Sequence, residues 1–189
     1  MAKTSNRREE LLEAALTVIA DGGVDAVRAR RVAATAGVPL GSVSYWFSSR
    51  EVLIRDAFDY FLIKNTAFIK SLLDDRPMAT PADLVEFLCA MVESEFRDPR
   101  VVMTEYEFIL AAGRDPALAE AFVAWEAILL DTATSVMAAL GIPEPARDAR
   151  TIIEMVRGFE VLALTRDAPD LDDLKHRLTR LIEALKRPV

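Results

Sequence analysis

Apolar residues recur at helical spacing along almost the whole chain, and no stretch sustains the alternation of a half-buried strand. Leu12, Ala15, Leu16 and Ile19 line one face of a first helix, opened by Asn6 and Glu9 at N-cap and N3 spacing and closed by Gly22-Gly23. A short second helix is expected over about 28–36, ending at Gly37, and a third over about 39–47. Ser48 and Glu51 have the spacing of a capping box for a long fourth helix reaching about Leu73. Thr80-Pro81, with Asp83 two residues further on, opens a fifth. A sixth covers about 100–112 and a seventh starts at Asp115-Pro116 and is closed by Gly141 and Pro143; two more follow over about 145–165 and 171–186. The pattern predicts an all-α chain of about nine helices, with no internal repeat and no low-complexity linker.

At 189 residues the chain suits one large domain or two small ones, and 28% charged residues beside 52% hydrophobic ones exclude a disordered chain. One Cys excludes a disulfide scaffold, and that Cys with a single His cannot build the usual Cys/His zinc cluster, so neither metal nor cofactor is expected. The first ten residues are polar and lack the apolar stretch of a signal peptide. The most apolar region, 117–140, is interrupted by Glu120, Glu126 and Asp131 and reads as no membrane span. The expectation is a soluble, cytoplasmic protein without a membrane partner. The formal charge is −7, yet residues 1–50 hold seven basic side chains against five acidic ones, a net of +2 that leaves −9 on the rest. Local phosphate contacts matter more than global charge, so an acidic protein with a basic head is compatible with nucleic-acid binding.

The stretch 30–47 carries a helix-turn-helix pattern. Ala33 is small where two helices approach, and Gly37, four residues on, suits the left-handed conformation that leaves the first helix. Val43 and Phe47 then fall on one face, against Val32 and Ala36. Ser42, Tyr45 and Trp46 are left without a core role on the outer side of a helix sized for the major groove.

Residues 9–54 resemble the N-terminal domain of the tetracycline-repressor (TetR) family. The matching features are Glu13-Ala14-Ala15, Gly23, Val32-Ala33, Ala36-Gly37-Val38, Gly41-Ser42-Val43, Phe47 and Ser49-Arg50-Glu51-Val52-Leu53. Ser44 stands where the family often has Tyr, Arg50 where it often has Lys, and Arg28 where a small hydroxyl residue is common. The resemblance implies a DNA-binding domain over 1–50 and a larger helical effector-binding and dimerisation domain over 51–189.

Arg28, Arg30, Pro39, Leu40, Gly41, Ser42, Ser44, Tyr45, Trp46 and Arg50 form the expected DNA-binding set. Arg30 is the candidate for a bidentate guanine contact, as the resemblance also implies; Ser42, Ser44 and Leu40 are short enough for base edges or thymine methyls. Arg28, Tyr45, Trp46 and Arg50 read as backbone anchors, and Arg31 as either a contact or an ordinary solvated arginine.

Leu171, Leu174, Leu178, Leu181 and Leu185 recur with spacings 3, 4, 3, 4, the narrow seam of helices packing at shallow angles, and Ile152, Val156, Phe159 and Ala163 make a matching stripe. Such stripes either cover the chain's own core or cross to a second copy. The resemblance implies a homodimer through the last two helices, with Ile152, Val156, Phe159, Leu174, Leu178 and Leu181 at its interface. It also implies a small-molecule pocket among helices four to eight, for which Phe61, Phe87, Met91, Met103, Tyr106 and Trp125 are the candidate lining. Glu105 and Glu107 flank Tyr106 and would favour a cationic ligand if they face inward.

No G-x-S-x-G, Gly-rich phosphate loop or metal-ligand cluster supports an enzyme. His176 lies between Lys175 and Arg177 as solvated surface, and Cys89 reads as buried packing or as a redox-sensing thiol. The expectation is a dimeric DNA-binding regulator, a repressor released from a double-stranded operator by a small-molecule effector. The alternative is a helical interaction or sensor protein of the same fold that answers to a protein partner or thiol oxidation.

Overall fold

The structure, a computed structural model, describes the backbone of residues 2–186 and the side chains of residues 7–186. Among the described residues it is all-helical: α1 Ala2–Gly22, α2 Ala29–Thr35, α3 Leu40–Trp46, α4 Arg50–Asp74, α5 Pro81–Glu95, α6 Pro99–Ala112, α7 Pro116–Ala139, α8 Pro145–Ala163 and α9 Leu171–Leu185, with a single 3₁₀ turn at Val24–Ala26. The helix ends follow from the residues that punctuate them. Thr80 and Asp83 exchange the two hydrogen bonds of a capping box, with Pro81 at the first helical position of α5. Asp115 Oδ1 accepts from the Ala117 N–H at 2.9 Å at the start of α7. Its other end is closed by Gly141, at φ 74°, with Gly141 N–H donating to the Ala138 carbonyl at 3.0 Å and Ile142 N–H to that of Met137 at 3.1 Å. Ile142 and Met137, brought together by that reversal, are both buried.

Three local expectations change. α1 starts at Ala2, so Asn6 lies inside the helix rather than before it; its side chain is outside the described residues. The buried face of α1 is wider than the expected stripe: Leu11, Ala14 and Val18 join Leu12, Ala15 and Ile19, while Leu16 is half-buried. At α4 the cap is Ser49 rather than Ser48, its Oγ accepting from the Val52 N–H at 3.2 Å and its carbonyl from the Leu53 N–H at 3.1 Å. Phe47 is still extended at φ −128°, and the chain uses Ser48 to complete the turn.

The described residues form two compact units, one reaching to Thr66 and joined by Arg100–Phe122, the other Ala67–Pro99 together with the chain from Val123 onward. In the first, the aromatic rings of Phe58 and Phe61 on α4 lie 4.7 Å and 5.7 Å from that of Phe108 on α6. In the second, Leu84, Phe87 and Val92 of α5, Met137 of α7, Ile152 and Val156 of α8, and Leu174, Leu178 and Ile182 of α9 make one core.

This core takes in the residues of the expected dimer seam. Leu174 and Leu178 have 0% of their surface exposed and Ile152, Val156 and Phe159 are buried as well, within a single chain; Leu181 is half-buried against the same cluster. A 3.5-residue stripe marks the face that packs and does not say against what; here the partner is the chain's own α5. α7 is long and apolar enough to cross a membrane by length and composition, with a mean hydropathy of 1.3 over its best window. One of the acidic residues that interrupt it, Glu126, is paired: Arg157 of α8 donates to it at 2.8 Å and lies 5.9 Å from the Trp125 ring centre.

Candidate nucleic-acid interface

α2, the turn and α3 are set by one glycine and a small apolar base. Gly37 has φ 65°; its N–H donates to the Ala34 carbonyl at 3.2 Å and the Val38 N–H to the Ala33 carbonyl at 2.9 Å, the paired bonds that end α2 and reverse the chain. Pro39, fixed in extended geometry, precedes α3 and accepts from the Ser42 N–H at 2.9 Å. Val32, Ala33, Val43 and Phe47 are buried as the base of the motif.

With Val43 and Phe47 inward, α3 turns the other residues out. Tyr45 is 78% exposed and Leu40 44%; Pro39, Gly41 and Ser44 are exposed too, while Ser42 and Trp46 are half-buried. Tyr45 and Trp46 meet edge to face at 5.3 Å. A methyl group added at Gly41 would meet no atom within 4 Å, so nothing in the chain's own packing requires glycine there.

The four arginines separate. Arg30 is exposed on α2. Arg31 is also exposed, but its guanidinium lies back over the end of α1, 3.2 Å from where a Gly22 side chain would begin. Arg28 Nη1 donates to the carbonyls of Asp25 at 2.7 Å and Val27 at 2.9 Å. Arg50 is half-buried and turns inward: Nε donates to the Val27 carbonyl at 2.9 Å, and Nη2 to the Val24 carbonyl at 3.0 Å and to Asp25 Oδ1 at 3.3 Å. Arg28 and Arg50 thus both hold the 3₁₀ turn ahead of α2, meeting at the Val27 carbonyl.

Further contacts join α1, α4 and α6 within this unit. Arg8 donates to Asp56 at 2.8 Å and its guanidinium lies 5.7 Å from the Phe47 ring centre. Glu13 accepts from Tyr60 Oη at 2.7 Å and from Lys64. Burial pushes the Tyr60 hydroxyl up to about 12, helped by its hydrogen bond to Glu13. For Glu13 burial acts upward, but the hydrogen bonds from Lys64 and Tyr60 outweigh it and hold the carboxyl below its usual value. Glu107 of α6 reaches the bend after α1, where a side chain at Gly23 would begin 2.8 Å from its Oε2. Gly23, at φ 77°, is favoured there by its backbone conformation, whereas the Glu107 carboxylate ends a flexible side chain and can swing aside.

The expected effector-lining residues fall in both units. Phe61 is buried in the first, where Met103 is partly exposed and Tyr106 half-buried; in the second, Phe87 and Trp125 are buried and Met91 is half-buried. A cleft of about 140 Å³ lies between α5 and α9, lined by Pro81, Val85, Glu86, Lys175, Thr179 and Ile182 among others, and none of the six expected residues belongs to it. Burial, then the charge of Glu86, pushes the Cys89 thiol up, which keeps it in the unreactive protonated form. Sequence reasoning missed Asn65, a polar residue seven positions after Phe58 on the buried face of α4; the signal was present in that spacing.

Two family models match the chain: one described as bacterial regulatory proteins of the tetR family over residues 11–57, and one described as a tetracyclin repressor-like C-terminal domain over residues 79–185. The HTH-type transcriptional repressor KstR2 of Mycolicibacterium smegmatis is 28% identical over 106 residues, 56% of this chain; the match spans about half of that relative, 52% of its length. A TetR-family member from Streptomyces coelicolor A3 is 28% identical with a TM-score of 0.70, covering 97% of this chain and 99% of that one. The multidrug binding protein EbrR, solved with proflavin, is 29% identical with a TM-score of 0.61, covering 93% and 99%. A transcriptional regulator from Rhodococcus sp. Rha1 superposes at a TM-score of 0.80 over 94% of this chain and 95% of its own; at 23% identity it shares the fold.

Proposed function

Because this chain belongs to the TetR family of bacterial regulatory proteins, which are transcriptional regulators and not enzymes, we propose that it acts as a dimeric repressor released from its operator by a small molecule. The observation that carries the reading is the outer face of α3. Leu40, Gly41, Ser44 and Tyr45 are exposed there while Val43 and Phe47 hold the helix from behind. Gly41 lies in the first turn of α3 with open space where a side chain would stand, so phosphate backbone or a base edge can approach the helix closely there.

Residues 1–50 serve as the DNA-binding segment and 51–189 as the effector and dimerisation segment. Arg30 reads guanine, Ser42, Ser44 and Leu40 touch base edges, and Pro39, Tyr45, Trp46 and Arg28 flank the sugar-phosphate chain. Arg50 enters as a brace, since its donors already hold Val24, Val27 and Asp25. The second copy docks on the exposed apolar positions that the core leaves over: Val161 and Leu162, with Gly158 a turn before, on α8, and Val123 and Ile128 on α7. Proflavin on EbrR supports an effector site for a flat, aromatic molecule in this chain as well. An operator-bound protein of this kind works in the cytoplasm.

A mobility-shift titration at two salt concentrations tests the reading. Arg30→Ala should lose roughly 1–3 kcal/mol of specific affinity and relax one base position, whereas loss of a phosphate contact weakens all sequences alike. Binding that is indifferent to salt would overturn the DNA-binding reading, and a sequence-blind loss on Arg30→Ala would remove Arg30 from the reading role.

A further inference from the structure

Among the described residues, one buried side-chain oxygen or nitrogen has no hydrogen-bond partner: Oδ1 of Asn65. The residue is only 6% exposed. Phe58, Phe61 and Leu62 precede it on the same face of α4, all buried, and the Phe108 ring of α6 packs on the two phenylalanines. Two hydroxyls on α4 and α6 bond within their own helices: Thr66 Oγ1 donates to the Leu62 carbonyl at 2.8 Å and Thr104 Oγ1 to the Arg100 carbonyl at 2.7 Å. An amide oxygen left unpaired in such surroundings destabilises the fold, and leucine, of similar size, would fill the position without that cost.

We propose that Asn65 determines effector specificity: its Oδ1 accepts a hydrogen bond from an N–H or O–H group on an otherwise apolar, aromatic effector held along the buried faces of α4 and α6. Phe61 supplies the apolar contact one turn before it, and the amide supplies direction. The inference rests on the effector reading above and adds the chemical class of the effector, a molecule that must carry a hydrogen-bond donor. A pocket of this kind is mostly apolar, with a small number of polar groups that fix orientation.

The test uses two probes, 2-naphthol and its methyl ether, in which an added methyl group replaces the donor hydrogen, titrated calorimetrically into the full chain and into Asn65→Leu. The wild type should bind the naphthol about tenfold more tightly than the ether, the effect of one buried hydrogen bond. Asn65→Leu should bind both equally and, without probe, melt at a higher temperature than the wild type. The proposal is overturned by a wild type that binds neither probe, by one that does not distinguish them, by a donor preference that survives in Asn65→Leu, or by a lower melting temperature of that variant. Operator affinity measured with each probe separates the two readings. An Asn65-dependent preference without operator release keeps the contact and sinks the switch; release without donor preference keeps the switch and sinks the contact.

Discussion

Arg30 and Arg50 carry the same charge and have opposite fates, because position decides what a guanidinium can reach. Arg50 finds two carbonyls and a carboxylate at the 3₁₀ turn, while Arg30 projects from α2. The sequence motif located both, and its spacing could not say which way each would turn; inward donors depend on carbonyls exposed by a 3₁₀ turn that the pattern did not announce. Tyr60, Glu13 and Lys64 form a second contact of this sort, and it has a pH signature. Tyr60 titrates near 12 rather than its ordinary 10.0, so its contribution is complete below about 10 and is lost as pH rises through 12. Glu13, held below 4.5, contributes above that value and loses its contribution as pH falls through the lowered one. Ultraviolet titration of the tyrosines should show one high midpoint that moves toward 10 in Glu13→Gln; an unchanged midpoint would detach Tyr60 from Glu13.

Helix identity was legible because caps and periodicity agree: the Thr80–Asp83 box, Gly37 and Gly141 stand where the spacing puts them. Ser48 and Ser49 offered two caps one residue apart, and only the extended Phe47 decides between them. The leucine seam of α9 was legible as a packing face, whereas its partner was not, since a heptad stripe is the same whether the facing helix belongs to one chain or two. Two substitutions separate those cases. Leu178→Ala empties a fully buried site and should cost about 2–5 kcal/mol in urea unfolding without changing the oligomeric state of the folded protein. Leu162→Glu, at a position 60% exposed, should remain helical by circular dichroism while sedimenting as a monomer. A dimer of undiminished affinity would exclude Leu162 from the contact.

The whole chain is acidic, with its positive excess confined to the residues around the helix-turn-helix, which suits one end for phosphate and leaves the remainder to repel it. A two-fold assembly of such chains presents two α3 helices, and each half-site must meet one of them at a separation set by the DNA turn, about 34–36 Å or a multiple of it. An effector releases the operator only by binding the arrangement that fails this spacing more tightly than the one that meets it. The most direct test of the account is selection of bound duplexes from a random pool by the full chain, followed by footprinting on the enriched sequence. The account predicts an inverted repeat with two protected half-sites centred one helical turn or a whole multiple apart, and loss of a guanine preference in each half when Arg30→Ala is selected in parallel. A pool that yields no enriched sequence, or a single protected half-site, would contradict it.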